Sequence, residues 1–287
     1  MNSLSPGLRA QTACLLEATA RKPGNVHRFL DFADTHYLDF LLSASAIAGP
    51  LDRASVDGVG TAILGAVEAT RRVVRSNTNL GMILLLAPLA AVPEGAEIRV
   101  GIAGVLDGLT LRDASQTYEA IRRAQPGGLG AADDQDVAVE PTVTLREAMT
   151  LAADRDGVAR QFANGYAEVF DVALPALRSH LDAGQALETA IIAAHLSLMK
   201  ALPDTLIARK RGSDVAAEAS RRAAEVLGSG WPDTATGRAE IGALDIWLRA
   251  DGHARNPGTT ADLVTAALFV ALRDGTISLP IDRFADG

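Results

Sequence analysis

Apolar residues recur along most of the chain three or four positions apart. One such series is Val158, Phe162, Tyr166 and Val169. Side chains at this spacing share one face of an α-helix. The pattern therefore predicts a succession of amphipathic helices. Further series with the same spacing cover residues 63–74, 191–202 and 263–271.

Signals for β-strands are weak by comparison. Residues 98–102 and 137–143 could be extended, but Gly101 and Pro141 interrupt these two runs. Glycine and proline inside a strand weaken it or remove a ladder hydrogen bond. The sequence thus predicts few or no paired strands.

Two helix starts carry the capping-box pattern, a hydroxyl residue followed three positions later by an acid. They are Thr144 with Glu147 and Thr259 with Asp262. Polar stretches at 93–95, 125–136 and 227–237 are predicted loops. The middle one, QPGGLGAADDQD, suits either a mobile flap over a site or a solvated connector.

The chain shows no internal repeat and no stretch with the composition of a linker between domains. We therefore expect one all-α domain over residues 1–287, built as a multi-helix bundle. The composition agrees, with 48% apolar but only 4% aromatic residues and many Ala and Leu. Such residues favour closely packed helices.

The net charge is −8, from 27 Lys and Arg against 35 Asp and Glu. Nucleic acids and anionic membranes require a basic surface, so neither is an expected partner. The one cysteine, Cys14, excludes an internal disulfide and is expected to be a buried structural thiol. Residues 1–13 lack the pattern of a signal peptide, and the longest apolar run, 80–92, is too short to span a bilayer. A cytoplasmic location is the expectation.

Four polar motifs lie at the edges of predicted helices, and the first is KPGNVH at residues 22–27. In a functional interpretation Lys22 binds a phosphate as a point charge, and Asn25 and His27 donate to the phosphate or to a ribose hydroxyl. The alternative is a turn that ends the preceding helix at Pro23-Gly24 and carries an incidental lysine.

The second motif is NTNLG at residues 77–81. Asn77 or Thr78 could cap the next helix, and Asn79 adds a third polar side chain. Backbone N–H groups at a helix start form an anion site. A plain helix cap is the alternative, although it requires only one residue of this type.

The third motif, PDTLIARKRG at residues 203–212, contains adjacent cations at Arg209, Lys210 and Arg211. In an acidic chain these suggest a phosphate clamp, with Asp204 as a nearby carboxylate. The alternative is a basic helix end that Asp204 compensates.

The fourth motif, NPGTTAD at residues 256–262, offers Asn256, Gly258 and Thr259 at a helix start. This arrangement fits a phosphate or Mg²⁺–phosphate site, or else a well-capped helix. Asp156 is a further possible Mg²⁺ ligand, with a helix cap as its default role. His195 lies on an apolar stripe and is expected to be a satisfied core histidine.

Motifs for P-loop, Rossmann and serine-hydrolase chemistry are missing from the sequence. Taken in order, the four motifs resemble the triphosphoribosyl-dephospho-CoA synthase family. The resemblance rests on KPG, NT-x-x-G, the Asp204-Thr205 pair upstream of Arg209, and the final NPG and ADL segments. The chain departs from the family at Asn79 and Leu80, where histidine and lysine are usual, and has NPGT in place of SPGG.

The resemblance implies an all-helical enzyme that uses ATP and Mg²⁺. It would transfer the ribosyl C1′ of ATP to the ribose 2′-hydroxyl of dephospho-CoA and release adenine. Lys22, Arg209 and Lys210 would hold phosphates, and Asn77 and Asn79 would orient sugar or base. Thr205 would also contact the substrate.

Asp204 or Asp262 would hold Mg²⁺ or accept the acceptor's proton, with Asp156 as a third possible metal ligand. Two other functions remain open: a related enzyme with another acceptor, such as a pterin or one-carbon cofactor, and a non-catalytic nucleotide-binding regulator. A homodimer is also left open.

Overall fold

The structure is a computed structural model that describes residues 4–126 and 134–285. Within those ranges it is all-α and contains no β-strand, as the sequence predicts; only an isolated bridge joins His27 and Leu30. The helices are α1 Pro6–Thr19, α2 Tyr37–Asp52, α3 Ala54–Asp57, α4 Val59–Val73, α5 Leu80–Ala91, α6 Ile98–Asp107, α7 Leu111–Ala124, α8 Leu145–Ala152, α9 Gly157–Asn164, α10 Leu174–Asp182, α11 Leu187–Ala201, α12 Thr205–Arg211, α13 Ser213–Gly228, α14 Ala235–Arg249 and α15 Gly258–Asp274, with a π-helical segment, Val169–Ala173, directly before α10.

Neither of the two segments that could have been extended forms a strand. Residues 98–102 begin α6, because the Glu97 carboxylate caps that helix and accepts from Arg99 N at 3.2 Å. Residues 137–143 form turns and bends. The capping box of Thr144 and Glu147 is confirmed at the start of α8.

The apolar series from Val158 to Val169 does not form one helix. Helix α9 ends at Gly165, which has a left-handed φ of 71°, and the chain continues into the π-helical segment. The predicted loop at 93–95 is confirmed between α5 and α6. The loop at 227–237 is shorter than predicted, since α13 runs to Gly228 and α14 begins at Ala235. Most of the glycine-rich segment 125–136 lies outside the described residues.

Apolar side chains are buried in two clusters. The larger cluster includes α1, α2, α4, α5, α7 and α15, and the smaller one joins α11, α12, α13 and α14. Helix α15 packs against α1, α5, α9, α11 and α12, so it links both groups. Within the described ranges no single helix is long and apolar enough to cross a membrane; α11 and α12 together pass on length and composition but are bent by 57°.

Two buried residues were assigned to the core from the sequence. Cys14 is buried, and burial raises the pKa of its thiol well above the ordinary range. His195 is also fully buried, but neither ring nitrogen makes a hydrogen bond of good geometry, so it is not the satisfied histidine that was expected. Burial and then the charge of Lys22 lower the pKa of His195, which keeps the ring neutral.

Candidate active site

A cavity of about 880 Å³ opens where several helix ends meet. The N-terminal ends of α5, α9, α12 and α15 border it, together with the loop that follows α1. All four polar motifs contribute to its wall. The predicted site residues on that wall are Asn25, Asn77, Thr78, Asn79, Asp156, Arg209, Lys210, Asn256, Gly258, Thr259 and Asp262.

Asp204 joins two of these helices instead of facing the cavity. Its Oδ1 accepts from Leu206 N and Ile207 N, and its Oδ2 accepts from Thr260 N at 2.7 Å and Thr260 Oγ1 at 2.8 Å. Burial raises the pKa of Asp204, and these hydrogen bonds oppose the rise. Both oxygens are occupied, so the geometry disagrees with the prediction that Asp204 holds Mg²⁺ or accepts a proton.

Thr205 has a similar joining role. Its hydroxyl accepts from Gly157 N at 3.0 Å and lies 3.0 Å from the hydroxyl of Thr259. These contacts hold the starts of α9, α12 and α15 together. Thr205 is buried and does not line the cavity, contrary to its predicted role as a ligand for substrate.

Asp156 caps α9 and also binds the basic cluster. Its Oδ1 accepts from Val158 N and Ala159 N, and its Oδ2 accepts from Arg209 Nη1 at 2.9 Å. The default role as a helix cap is therefore confirmed. In the part of the chain that the structure describes, no three His, Cys, Asp or Glu side chains form a metal-binding group.

The three adjacent cations differ in how far their charge is compensated. Arg209 pairs with Asp156, and Arg211 Nη2 lies 2.8 Å from Asp251 Oδ2. Lys210 Nζ instead donates to the carbonyl of His253 at 3.3 Å, and no carboxylate of the described ranges pairs with it. Burial lowers the pKa of Lys210. An ammonium group without a carboxylate partner is available to an incoming anion.

Lys22 lies behind the cavity wall, contrary to the prediction that it contacts phosphate. Its side chain is fully buried, and its Nζ lies 2.9 Å from Glu17 Oε1. Nζ also donates to the carbonyls of Glu17 and Ala20. Burial raises the pKa of Glu17, and the charge and hydrogen bond of Lys22 oppose that rise.

Glu17 lines the cavity, and sequence reasoning missed it. The available signal was its position on α1, three residues after Cys14 and seven after Ala10, on the face that is otherwise apolar. A charged residue on such a face is costly unless it is paired. Lys22 provides that pair.

The KPG turn is held against α14. Gly24 has a φ of +77°, which favours glycine, and its N–H donates to Asp245 Oδ1 at 2.7 Å. Asn25 Nδ2 donates to Asn256 Oδ1 at 2.6 Å, which joins the first and fourth motifs. His27 does not line the cavity; burial and then Arg249 lower the pKa of its ring to about 4, so it is neutral near pH 7.

The start of α5 faces a carboxylate. Asn77 Oδ1 accepts from Leu80 N at 3.1 Å, while Asn79 is the N-cap residue by position. A β-carbon on Gly81 would lie 2.0 Å from Asp262 Oδ2. The start of α5, where the NTNLG motif predicts an anion site, therefore lies beside Asp262.

Asp262 is not part of a capping box. The N-cap of α15 is Pro257, and Thr259 lies inside the first turn. Burial raises the pKa of Asp262 well above its ordinary value, and the charges of Glu17, Asp204 and Asp156 raise it further. The cavity thus combines a basic cluster with a carboxylate of raised pKa.

The remaining walls are more apolar. Helices α7 and α8 contribute Tyr118, Ile121 and Met149. At the rim, Phe32 packs against His253 with ring centroids 5.5 Å apart. This part of the cavity suits a base or an alkyl chain more than a phosphate.

Comparison with known proteins agrees with this geometry. Residues 4–279 match the family model described as ATP:dephospho-CoA triphosphoribosyl transferase. The chain belongs to this family. The family assignment made from the four motifs is therefore confirmed.

Individual relatives match over shorter regions. A probable 2-(5''-triphosphoribosyl)-3'-dephosphocoenzyme-A synthase of Pseudomonas savastanoi pv. phaseolicola is 33% identical over 114 residues, which is 40% of this chain and 38% of the relative. One of the same name from Stutzerimonas stutzeri is 30% identical over 131 residues, 45% of this chain and 43% of the relative. The matched region thus spans less than half the length of these curated relatives.

The fold also has a solved counterpart. A crystal structure named as a triphosphoribosyl-dephospho-CoA synthase of Archaeoglobus fulgidus superposes with a TM-score of 0.62 at 23% identity. The match covers 82% of this chain and 99% of that one. At this level of identity the likeness establishes the shared fold.

Proposed function

We propose that this protein transfers the 5-triphosphoribosyl group of ATP to the ribose 2′-hydroxyl of 3′-dephospho-CoA and releases adenine. The observation that carries the proposal is that one cavity, in a member of this family, contains both Lys210 and the carboxylate of Asp262. The first suits a triphosphate, and the second suits the reacting sugar.

The triphosphate is assigned to the basic cluster. Lys210 supplies an ammonium group without a carboxylate partner in the described chain, and Arg209 supplies a guanidinium that Asp156 already orients. Charge-assisted hydrogen bonds to phosphate contribute about 1.5–3 kcal/mol each. The amide of Asn77 on the same wall offers donors and acceptors for ribose hydroxyls or the base.

The transfer requires groups that stabilise the positive charge that develops on the sugar. Displacement at an anomeric carbon passes through an oxocarbenium-like state, which nearby carboxylates stabilise. Asp262 and Glu17 both line the cavity. Phosphoryl transfer would instead call for a phosphate loop, and the sequence contains none.

The described residues do not fit a protein-held Mg²⁺ site. Two of the three predicted ligands, Asp156 and Asp204, have both carboxylate oxygens engaged in hydrogen bonds. Mg²⁺ at nucleotide sites usually keeps several waters and binds in part through the substrate phosphates. We therefore assign any Mg²⁺ to the triphosphate of ATP and give it no protein ligand.

The acceptor is assigned to the apolar side of the cavity. Tyr118, Ile121 and Met149 provide surface for the pantetheine arm of dephospho-CoA. Buried apolar contact contributes about 25 cal/mol per Å² of surface. The hydroxyl that reacts would then approach the carboxylates from this side.

The test is product analysis with ATP, Mg²⁺ and dephospho-CoA. We expect free adenine by chromatography. Mass spectrometry should show dephospho-CoA that carries one triphosphoribosyl group, in an amount equal to that of the adenine. The variant Lys210→Met lacks the proposed phosphate-binding ammonium group and should release adenine far more slowly at limiting ATP. Accumulation of ADP or AMP without adenine would replace this proposal with phosphoryl or nucleotidyl transfer.

A further inference from the structure

We propose that Asp262 is the general acid that protonates the departing adenine, and that its ionised form then accepts the proton of the attacking 2′-hydroxyl. This inference rests on the proposed function and deepens it. It assigns Asp262 to the leaving group first and to the acceptor second, whereas the sequence suggested only metal binding or a base.

Asp262 differs from the other carboxylates of the cavity in having no protein partner in the described chain. The oxygens of Asp156 are used by α9 and Arg209, and Glu17 is paired with Lys22. Asp262 instead packs against the backbone of Gly81 and faces the cavity. Its carboxyl group is therefore free to contact a bound substrate.

Lys22 favours the ionised form of Glu17 and opposes the rise in its pKa that burial causes. A charged lysine has three N–H donors, and three acceptors surround Lys22 Nζ: the carbonyls of Glu17 and Ala20 and the carboxylate of Glu17. A neutral amine would leave one acceptor unfilled. The three donors of a lysine side chain match these three acceptors, and the ion pair favours an ionised Glu17.

Besides burial, carboxylates on three neighbouring elements raise the pKa of Asp262. Glu17 lies on α1, Asp204 caps α12 and Asp156 caps α9, while Arg209 is the opposing cation. Two carboxyl groups in one buried site share a proton more readily than they both ionise. Because Lys22 pairs with Glu17 while no group of the described chain pairs with Asp262, Asp262 is the carboxyl group that keeps its proton.

The step balances without a further reactant. Asp262 gives its proton to a ring nitrogen of adenine, and the C1′–N9 bond breaks with its electron pair going to the base. The 2′-oxygen of the acceptor forms the new bond to C1′, and its proton passes to the Asp262 carboxylate. Neutral adenine leaves, and Asp262 is again protonated for the next turnover.

The experiment compares ATP with N7-methylated ATP, whose base is already cationic and leaves without a proton. For Asp262→Asn we expect kcat with ATP to fall by about 100-fold or more, since general acid catalysis contributes about 10²–10⁴-fold. With the methylated nucleotide only the loss of the base remains, so the fall in kcat should be smaller than with ATP by about 10-fold or more. Asp214→Asn, at an exposed position on α13, is the matched control and should be unchanged with both nucleotides.

A second variant gives an independent readout. In the native protein kcat with ATP should fall at high pH as Asp262 loses its proton, and Glu17→Gln should move that fall to lower pH because one negative charge is removed. Circular dichroism and thermal melting would verify that each variant is folded.

Equal losses of Asp262→Asn with both nucleotides, or an unshifted pH profile in Glu17→Gln, would overturn the acid role while leaving the transferase proposal intact. If the native protein itself releases no adenine, the proposed function fails instead.

Discussion

The carboxylate of Asp262 occupies the space that a side chain at position 81 would need. A β-carbon on Gly81 would lie 2.0 Å from Asp262 Oδ2 and 2.4 Å from its Cγ. The atoms in the way are the end of a short side chain, so the carboxylate can be displaced without rebuilding the backbone. Position 81 thus controls where Asp262 points.

Gly81→Ala should therefore impair catalysis more than folding. Alanine is favoured over glycine inside a helix by about 1 kcal/mol, which offsets part of the clash. We expect kcat to fall by about 10-fold or more while the melting temperature changes by only a few degrees. The control is Gly104→Ala in α6, where a β-carbon meets nothing within 4 Å; it should retain full activity. Native kcat in Gly81→Ala would show that the position of Asp262 is not critical.

The basic cluster should dominate ATP affinity. Loss of a charge-assisted hydrogen bond at Lys210→Met or Arg209→Ala should weaken binding by about 1.5–3 kcal/mol, or roughly 10–150-fold. Arg75→Ala provides the comparison, since Arg75 is exposed and does not line the cavity. Isothermal titration calorimetry measures all three variants. If the three variants bind ATP with equal affinity, the basic cluster is not the phosphate site.

Asp262 should reduce the stability of the folded protein at neutral pH. Its folded-state pKa lies above the ordinary value of 3.8, so its contribution is fully present below that value and is lost as pH rises through the folded pKa. Asp262→Asn cannot ionise and should escape this loss. Its melting temperature should exceed that of the native protein by a few degrees at about pH 8 and by much less at about pH 4. A pH-independent difference between the two proteins would contradict this.

The Glu17–Lys22 pair should behave as one unit in stability. Lys22→Met leaves a buried acid without its partner and should cost about 3–5 kcal/mol. The double variant Glu17→Gln with Lys22→Met removes both charges and should cost clearly less than the sum of the two single changes. Urea denaturation of the four proteins gives the coupling free energy. Additive losses would mean that the two residues do not stabilise each other.

The helices were predictable because they depend on local spacing. Apolar side chains three or four residues apart mark one helix face wherever they occur, and the Thr144–Glu147 box marks a start by itself. The break at Gly165 was missed because an apolar series can continue through a turn in the chain. Position in the series alone does not show where a helix ends.

The sequence predicted which motifs line the cavity better than it predicted the role of each residue in them. Asp204 lies 56 residues from Thr260 in sequence, and their hydrogen bonds decide that this carboxylate is structural. Lys22 faces Glu17 because the chain folds back after α1, which no motif records. Partners that are distant in sequence depend on tertiary packing, so local patterns could not identify them.

The hydrogen bonds of Asp204 have a consequence for how the protein responds to its substrate. The Asp204 carboxylate joins the start of α12 to the first turn of α15 through hydrogen bonds. Helix α12 carries Arg209 and Lys210, and α15 carries Asp262. The groups assigned to the triphosphate and to the sugar therefore keep a fixed separation before ATP arrives. Under the proposed function, little reorganisation energy is then needed for ATP to bind, because the groups for the triphosphate and for the sugar are already in position.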